Sequence, residues 1–335
     1  MNPQLSEPWT ADSVLELSRA YQRAAVLAAA VDLEIFTLLA SQALPAAELA
    51  QRHGWDLRGT TVLLDALAAL RLLDKEHDRY FVPSELQSLL AAHGPGSVLA
   101  MAQHQANCLR RWSQIARAVQ TGAPPPEVPS VRGPERDLES FIEAMDNVSA
   151  PVADDVIAAI KPLSFRVLLD VGGGSGTWTL AFLRACPAGR AILFDLPEVI
   201  PLAVRRASSA GLQSRLECVP GDYNRDELPK GADLAWISAI VHQNSRRQNQ
   251  ELFGKVRRAL LPGGRIAIRE ILMEENRISP VAGALFAINM LVGTERGGTY
   301  TAGELRQDLE LAGFQQVQVA RDDGSMNSIL TAVRP

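Results

Sequence analysis

Cysteine is scarce in this chain of 335 residues: Cys108, Cys186 and Cys218 stand far apart, and no C-x-x-C or H-E-x-x-H spacing occurs. An odd, scattered set excludes a disulfide framework and a structural zinc motif, and it suits a reducing compartment. Aromatic residues make up only 5%, too few to mark out a base-stacking platform. Basic residues are outnumbered, with 33 Lys and Arg against 38 Asp and Glu, a net charge of −5. Nucleic-acid binders usually carry a basic patch instead. Long apolar runs are missing too. Ala24 to Val31, the longest near the N-terminus, has eight residues, against about 20 for a membrane span. Met1 to Trp9 carries Glu7 and no basic residue, unlike a signal peptide. The expectation is a soluble cytoplasmic protein with no membrane segment and no nucleic-acid partner.

What is present is ordinary globular composition, 47% hydrophobic and 21% charged, with a length that suggests about two domains. There is no internal repeat. Thr121 to Glu135 reads TGAPPPEVPSVRGPE, and its prolines bar a helix interior or central strand. The expected division is a helical domain over 1–120, a linker over 121–136 and a second domain over 137–335.

The first region reads as helices with one small β element. Ser13-Val14-Leu15-Glu16 has capping-box spacing, which predicts a helix from Ser13 to about Ala30. Further helices are expected over Leu33–Ala40, Pro45–His53, Arg58–Leu73 and Ser97–Gln120, with a hairpin over Leu73–Pro83. Helix, turn, helix, hairpin is the winged-helix order. Residues 1–100 hold 7 Lys and Arg against 12 Asp and Glu, so packing or dimerisation suits the region better than DNA, whose phosphates require cations.

After the linker, strand and helix alternate, which predicts a mostly parallel sheet. Strands are expected over Phe165–Val171, Ala191–Asp195, Leu216–Pro220, Asp233–Val241 and Gly264–Glu270. Helices are expected over Gly176–Cys186, Pro197–Ser209, Ser245–Leu261, Ala282–Leu291 and Thr301–Ala312. Two closing strands, Gln316–Ala320 and Ser328–Val333, flank Asp322-Asp323-Gly324-Ser325 and form an antiparallel edge. The fold class is α/β: a Rossmann-like doubly wound sheet ending in a hairpin, preceded by a winged-helix-like domain.

The strongest motif is Asp170-Val171-Gly172-Gly173-Gly174-Ser175-Gly176, where a buried strand turns into a helix. In such sheets the ligand sits beyond the carboxyl ends of the strands. The glycines do not follow the dinucleotide spacing G-x-G-x-x-G, and Asp170 would repel a pyrophosphate but suits an ammonium group. Asp195 ends the next strand, where an acid can accept both ribose hydroxyls. Asp222-Tyr223 ends the third and suits the edge and face of an adenine. Turn chemistry is the bland alternative for Asp195 and Asp222. Together the three carboxylates point to a nucleoside-type ligand. His242 follows a strand and so lies on the ligand edge, where it is either a general base or a loop histidine. Glu270 ends the neighbouring strand, within reach of that imidazole.

These motifs resemble the class I S-adenosylmethionine-dependent methyltransferases. The chain as a whole resembles the small-molecule O-methyltransferase family that includes plant caffeate-type and bacterial antibiotic-tailoring enzymes. The matching pieces are DVGGGSG at 170–176, FDLP at 194–197, GDY at 221–223, Trp236 to His242, LLPGGRIAIRE at 260–270, GGTYTAGEL at 297–305 and FIEAMDNVS at 141–149. The resemblance implies S-adenosyl-L-methionine as cofactor, S-adenosyl-L-homocysteine as product and a homodimer built on the N-terminal domain. It implies that Gly172 and Gly174 back the methionine portion and that Ser149 touches its carboxylate. Asp195 and Leu196 would hold the ribose, Asp222 and Tyr223 the adenine, and Ser238 would lie near the cofactor. His242 would be the base and Glu270 its orienting acid. Met145, Phe286, Asn289, Met290, His104 and Trp112 are candidates to line the acceptor pocket. The family's usual His-Asp-Trp reads His242-Gln243-Asn244 here, and Thr299 stands where plant members carry a glutamate.

The reaction so implied is O-methylation of a small aromatic or polyketide-like metabolite. Carbon or nitrogen methylation on the same scaffold is an alternative, as is a relative that binds the cofactor without transferring methyl. A ligand-sensing winged-helix regulator is a rival of another class.

Overall fold

The computed structural model describes residues 8–91 and 96–335. Of the N-terminal stretch read against a signal peptide, residues 1–7 lie outside the described residues. The chain forms two compact units that exchange segments. One comprises residues up to Arg110 together with Val128–Asn147; the other comprises Arg111–Glu127 and Val148–Pro335. This partition cuts across the expected division at 120 and 137.

The first unit runs through α1 (Ala11–Arg19), α2 (Tyr21–Asp32), α3 (Ile35–Leu39), β1 (Leu44–Pro45), α4 (Ala46–His53), α5 (Leu57–Ala69), β2 (Asp74–Glu76), β3 (Arg79–Phe81), α6 (Ser84–Leu90) and most of α7 (Leu99–Trp112). Helix, turn, helix, hairpin is indeed the order, with β1 added to the wing in the sequence β1-β3-β2. Gly54 stops α4 at φ +67°, a conformation that glycine adopts without the steric cost a side chain would bring. The expected first helix is corrected at its start and its middle. Thr10, not Ser13, is the cap: Ser13 N donates to Thr10 Oγ1 and Thr10 N donates to Ser13 Oγ. At Ala20 the N–H turns to Leu17 O, tightening the turn between α1 and α2.

The expected helix over Ser97–Gln120 is likewise two. It breaks at Ser113–Gln114, where Gln114 N donates three residues back to Arg111 O, and resumes as α8 (Ile115–Thr121). The expected linker is shorter than 121–136, because α9 (Pro134–Ser149) starts at a proline, whose missing N–H is no loss in a first turn.

The second unit continues with α10 (Ala153–Ile157), β4 (Val167–Val171), α11 (Thr177–Ala185), β5 (Arg190–Asp195), α12 (Ile200–Ser209), β6 (Leu216–Pro220), β7 (Ala232–Ser238), α13 (Arg246–Ala259), β8 (Leu260–Glu270), β9 (Leu272–Met273), α14 (Val281–Gly293), β10 (Tyr300–Thr301), α15 (Ala302–Leu311), β11 (Gln315–Arg321) and β12 (Ser328–Val333). The sheet order is β11-β12-β8-β7-β4-β5-β6. All pairs are parallel except those made by β12. The order reverses between β4 and β7, which places the ligand crevice at their carboxyl ends. Helix α12 starts at Ile200, after a turn over Pro197–Val199, rather than at Pro197. The short parallel pair β9–β10 had no signal in the sequence.

Side-chain alternation assigns each strand residue to a face. Leu169, Val171, Ala235, Ile237, Ile266 and Ile268 pack against Leu252, Phe253 and Val256 of α13 and Leu305 and Leu309 of α15. Leu168, Leu234, Trp236 and Ala267 pack against α10 and α11. On that second face Phe182 lies edge-on to Trp236, with centroids 5.2 Å apart, and to Phe165 at 5.9 Å. Phe182→Ala should therefore cost about 3–5 kcal/mol. The check is a drop in the melting temperature of the variant; an unchanged melt would refute the packing assignment.

Candidate active site

The expected strand over Asp233–Val241 is shorter than read. β7 ends at Ser238, Ala239 takes a left-handed φ of +57°, and a 3-10 turn over Val241–Gln243 carries His242. The reversal at Ala239 brings the histidine back over the end of β8. His242 Nδ1 lies 2.8 Å from both Glu270 oxygens, and His242 N donates to Glu270 Oε2 at 3.2 Å. Ile271 N donates to Oε1 at 3.1 Å. His242 is 6% exposed and Glu270 1%, so neither is a surface group. With Nδ1–H donated to the carboxylate, Nε2 is the acceptor nitrogen, which is the state a general base requires. Phe286 of α14 lies edge-on to the imidazole, with centroids 4.8 Å apart at 89°. From behind, Gly298 N donates to His242 O at 2.9 Å, and a Cβ on Gly297 would come within 2.4 Å of that oxygen. The glycine pair thus admits the turn that holds the histidine.

Gln243 and Asn244 take different places. Gln243 is exposed and donates to Ala239 O. Asn244 is buried, donates to Asn249 Oδ1, and its carbonyl accepts from the Tyr300 hydroxyl. Burial pushes that phenol up to about 12. Thr299 is buried, and its carbonyl accepts from Arg277.

The glycine loop lies one strand over. Asp170 is 1% exposed and accepts from the Thr179 hydroxyl of α11. Burial pushes its carboxyl up to about 7; the Asp195 charge adds to the rise and the Thr179 hydrogen bond opposes it. Gly172 holds φ +70°, and a Cβ there would strike Ile240 at 2.5 Å; Gly174 at φ +56° faces open space. Asp195 closes the loop from β5, with Oδ2 accepting from Gly174 N and Oδ1 from Leu196 N, both at 2.7 Å. Burial still raises its carboxyl above the usual range. Each oxygen keeps a lone pair for a further donor. Leu196 is exposed beside it.

Asp222 caps its own turn: Oδ1 accepts from Asn224 N at 2.8 Å, and Oδ2 lies 3.5 Å from Arg225 Nε. Turn chemistry therefore occupies part of this carboxylate. Tyr223 is half-buried against the α13–α15 side of the sheet. Ser238 at the end of β7 accepts from Arg269 Nη1 at 3.1 Å. Ser149 is buried at the end of α9.

Phe286, Asn289 and Met290 share α14, and Trp112 Nε1 donates to Asn289 Oδ1 at 2.9 Å within the same unit. That bond occupies the Asn289 amide oxygen, so the amide nitrogen is the donor on its other side. His104 and Met145 belong to the other compact unit. There His104 lies 3.6 Å from Cys108 Sγ and packs on Phe141. Sequence reasoning missed Thr179, and it gave Gly297, Gly298 and Arg269 no role of their own although they lie in the matching stretches at 297–305 and 260–270. Among the described residues no cluster could hold a metal ion, and no helix is long and apolar enough to cross a membrane.

Residues 129–315 match the model of the O-methyltransferase domain, and residues 15–93 match that of the O-methyltransferase dimerisation domain. The tetracenomycin polyketide synthesis 8-O-methyl transferase TcmO of Streptomyces glaucescens is 32% identical over 320 residues, 93% of either chain. The 3-hydroxy-5-methyl-1-naphthoate 3-O-methyltransferase of Streptomyces sahachiroi is 32% identical over 91% of this chain and 90% of its own. The crystal structure of human N-acetylserotonin methyltransferase in complex with SAM aligns with a TM-score of 0.80 at 26% identity, covering 98% of this chain and 99% of that one.

The buried Asp170 gives a pH dependence whose sign follows from linkage. Its folded carboxyl titrates at about 7 against 3.8 for the free group. Between those values the unfolded chain releases a proton that the folded chain keeps, so stability falls as pH rises and levels off above about 7. Without ligand, the wild type should lose more of its urea midpoint between pH 5 and pH 8 than Asp170→Asn does. Parallel declines would show that Asp170 is not the titrating group.

Proposed function

This chain belongs to the O-methyltransferase family, and we propose that it methylates a hydroxyl of a small aromatic or polyketide-type metabolite, using S-adenosylmethionine and working as a cytoplasmic homodimer. The observation that carries the reading is the buried His242–Glu270 pair at the carboxyl ends of β7 and β8.

The residues of the loop fit the cofactor. Asp170 is a buried carboxyl whose one side-chain partner is the Thr179 hydroxyl, and it suits the ammonium of an amino acid. Gly172 and Gly174 let backbone line the methionine portion, with Ser149 and Ser238 beside it. Asp195 accepts the ribose hydroxyls with the lone pairs left over from Gly174 N and Leu196 N, and Leu196 covers the sugar. Tyr223 offers a face to the adenine and Asp222 its remaining acceptor capacity. When bound, the cofactor supplies an electrophilic methyl on a sulfonium.

The protein's task is to hold the acceptor oxygen in line with that methyl, about 3 Å away, and to remove its proton. His242 Nε2 would take the acceptor hydroxyl's proton as that oxygen receives the methyl, the S–CH3 bond breaking to leave the neutral thioether S-adenosylhomocysteine. Glu270 holds the other nitrogen and offsets the charge of the imidazolium. The edge-on Phe286 narrows the approach to the ring, and the Asn289 amide donor, set by Trp112, suits an acceptor oxygen. Met290 sits next to it on α14. Gln243, neutral where the family usually has an acid, leaves His242 without a second carboxylate in sequence. The names of TcmO and of the naphthoate enzyme support a fused-ring phenolic acceptor.

The dimer has its own support. Helix α1 buries none of its residues and exposes Val14, Leu15 and Leu17, with Tyr21 exposed next to it. Such an apolar face suits a second copy, in keeping with the match to the dimerisation domain.

Calorimetric titration with S-adenosylmethionine and S-adenosylhomocysteine tests the reading: micromolar binding of both supports it, and binding of neither overturns it. With labelled methyl donor and a panel of naphthols and hydroxynaphthoates, His242→Ala should lower turnover about 10²–10⁴-fold while S-adenosylhomocysteine affinity stays within a factor of two. Unchanged turnover would remove His242 from the mechanism. Asp195→Ala should instead weaken S-adenosylhomocysteine binding, about tenfold or more; equal affinity would sink the ribose assignment.

A further inference from the structure

One charged group in the second unit is left over by the chemistry above. Arg269, in the apolar run of β8, is 4% exposed, and burial lowers its guanidinium to about 10. Taking such an ion out of water costs several kcal/mol unless an opposite charge offsets it. Among the described residues no carboxylate lies within 4 Å of it. Glu270 is next in sequence but on the opposite face of the strand, its oxygens taken by His242 and Ile271. Asp323 is engaged by Ser325 and Arg321. The side-chain partners of Arg269 are neutral. Asn327 Oδ1 accepts from Nε and Nη2 at 3.0 and 2.8 Å, Ser238 Oγ accepts from Nη1 at 3.1 Å, and Trp178 lies under the guanidinium with its ring centroid at 4.5 Å. Three of five N–H groups are used, and two remain.

The register says where the residue stands in the sheet. Val171 pairs with Ile237 and Ser238 pairs with Arg269. Gly172, Ser238 and Arg269 therefore form one row across the ends of β4, β7 and β8, on the face that also carries Asp170 and Trp178. That row borders the glycine loop, where the amino-acid end of the cofactor is assigned. We propose that Arg269 binds the α-carboxylate of the cofactor's methionine portion, completing with Asp170 a pair of opposite charges for a zwitterion. The proposal rests on the cofactor reading above. It accounts for the retention of a buried cation with only neutral partners, and it makes the Asn327 and Ser238 bonds devices that aim the guanidinium.

The test compares two ligands by calorimetry: S-adenosylhomocysteine, and the same thioether without its carboxylate, 5′-deoxy-5′-(3-aminopropylthio)adenosine, which keeps the ammonium. Charge-assisted hydrogen bonds of this kind are worth about 10- to 100-fold in affinity. Arg269→Met should lose that factor for S-adenosylhomocysteine and change the decarboxylated ligand by less than twofold. Equal losses for both would mean that Arg269 only fastens the β11–β12 hairpin and Trp178. No loss for either would overturn the proposal as well. Should the methionine variant fail to fold, Arg269→Lys serves: it keeps the charge and loses the fork, and its smaller loss should again fall on the carboxylate-bearing ligand alone. Wild-type protein that binds neither ligand refutes the cofactor reading itself, a separate result.

Discussion

A buried carboxylate and a buried imidazole held 2.8 Å apart are the constraint on which the functional end of this molecule depends. Glu270 is almost fully buried, and an uncompensated charge there would be costly. The cost is met by donors that arrive from different segments: the His242 ring, the His242 backbone and the Ile271 backbone. Satisfying them requires β7 to stop at Ser238, Ala239 to take a left-handed conformation and a 3-10 turn to follow. The Gly297–Gly298 pair then supports the turn from the other side. Local strain at Ala239 is thus tied to a polar pair that only that backbone path can complete.

The sheet distributes its polar groups by parity. Asp170, Ser238 and Arg269 share the face packed by α11, and Glu270 shares the face packed by α13 and α15. A one-residue slip in any of these strands would exchange the two sets and bury the wrong charges. The flanking cores pin the register, because Trp236 and Phe182 on one side and Phe253 and Ile268 on the other fill volumes that cannot be traded. Stability and function therefore draw on the same alternation, with apolar residues along the strands and polar ones at their carboxyl ends.

Most of the architecture was legible in the chain, because strong local signals agreed. Apolar β-branched runs, proline and glycine punctuation and the strand–helix alternation placed the seven-strand sheet and its antiparallel edge within a few residues. The errors fell where local signals are silent. Helix breaks at Ala20 and Ser113–Gln114 have no proline or glycine to announce them; they depend on a single i to i−3 hydrogen bond. The compact units differ from the division expected at 120 and 137 because α8 and part of α9 each cluster apart from their sequence neighbours, a matter of packing rather than composition.

In the candidate site the same line divides the readable from the unreadable. By itself the sequence determined the fold class, the glycine loop with its carboxylates at successive strand ends, and the placing of His242 after β7 and of Glu270 at the end of β8. Spacing along a strand and the chemistry of glycine and aspartate are local properties, and they survive in one dimension. Only the tertiary structure decided that His242 and Glu270, 28 residues apart, are hydrogen-bonded, that Asp222 spends one oxygen on its own turn, and that Arg269 stands buried with neutral hydrogen-bond partners. Those facts depend on which side chains a folded chain brings within about 3 Å of each other and removes from water, and neither quantity is written in the order of residues.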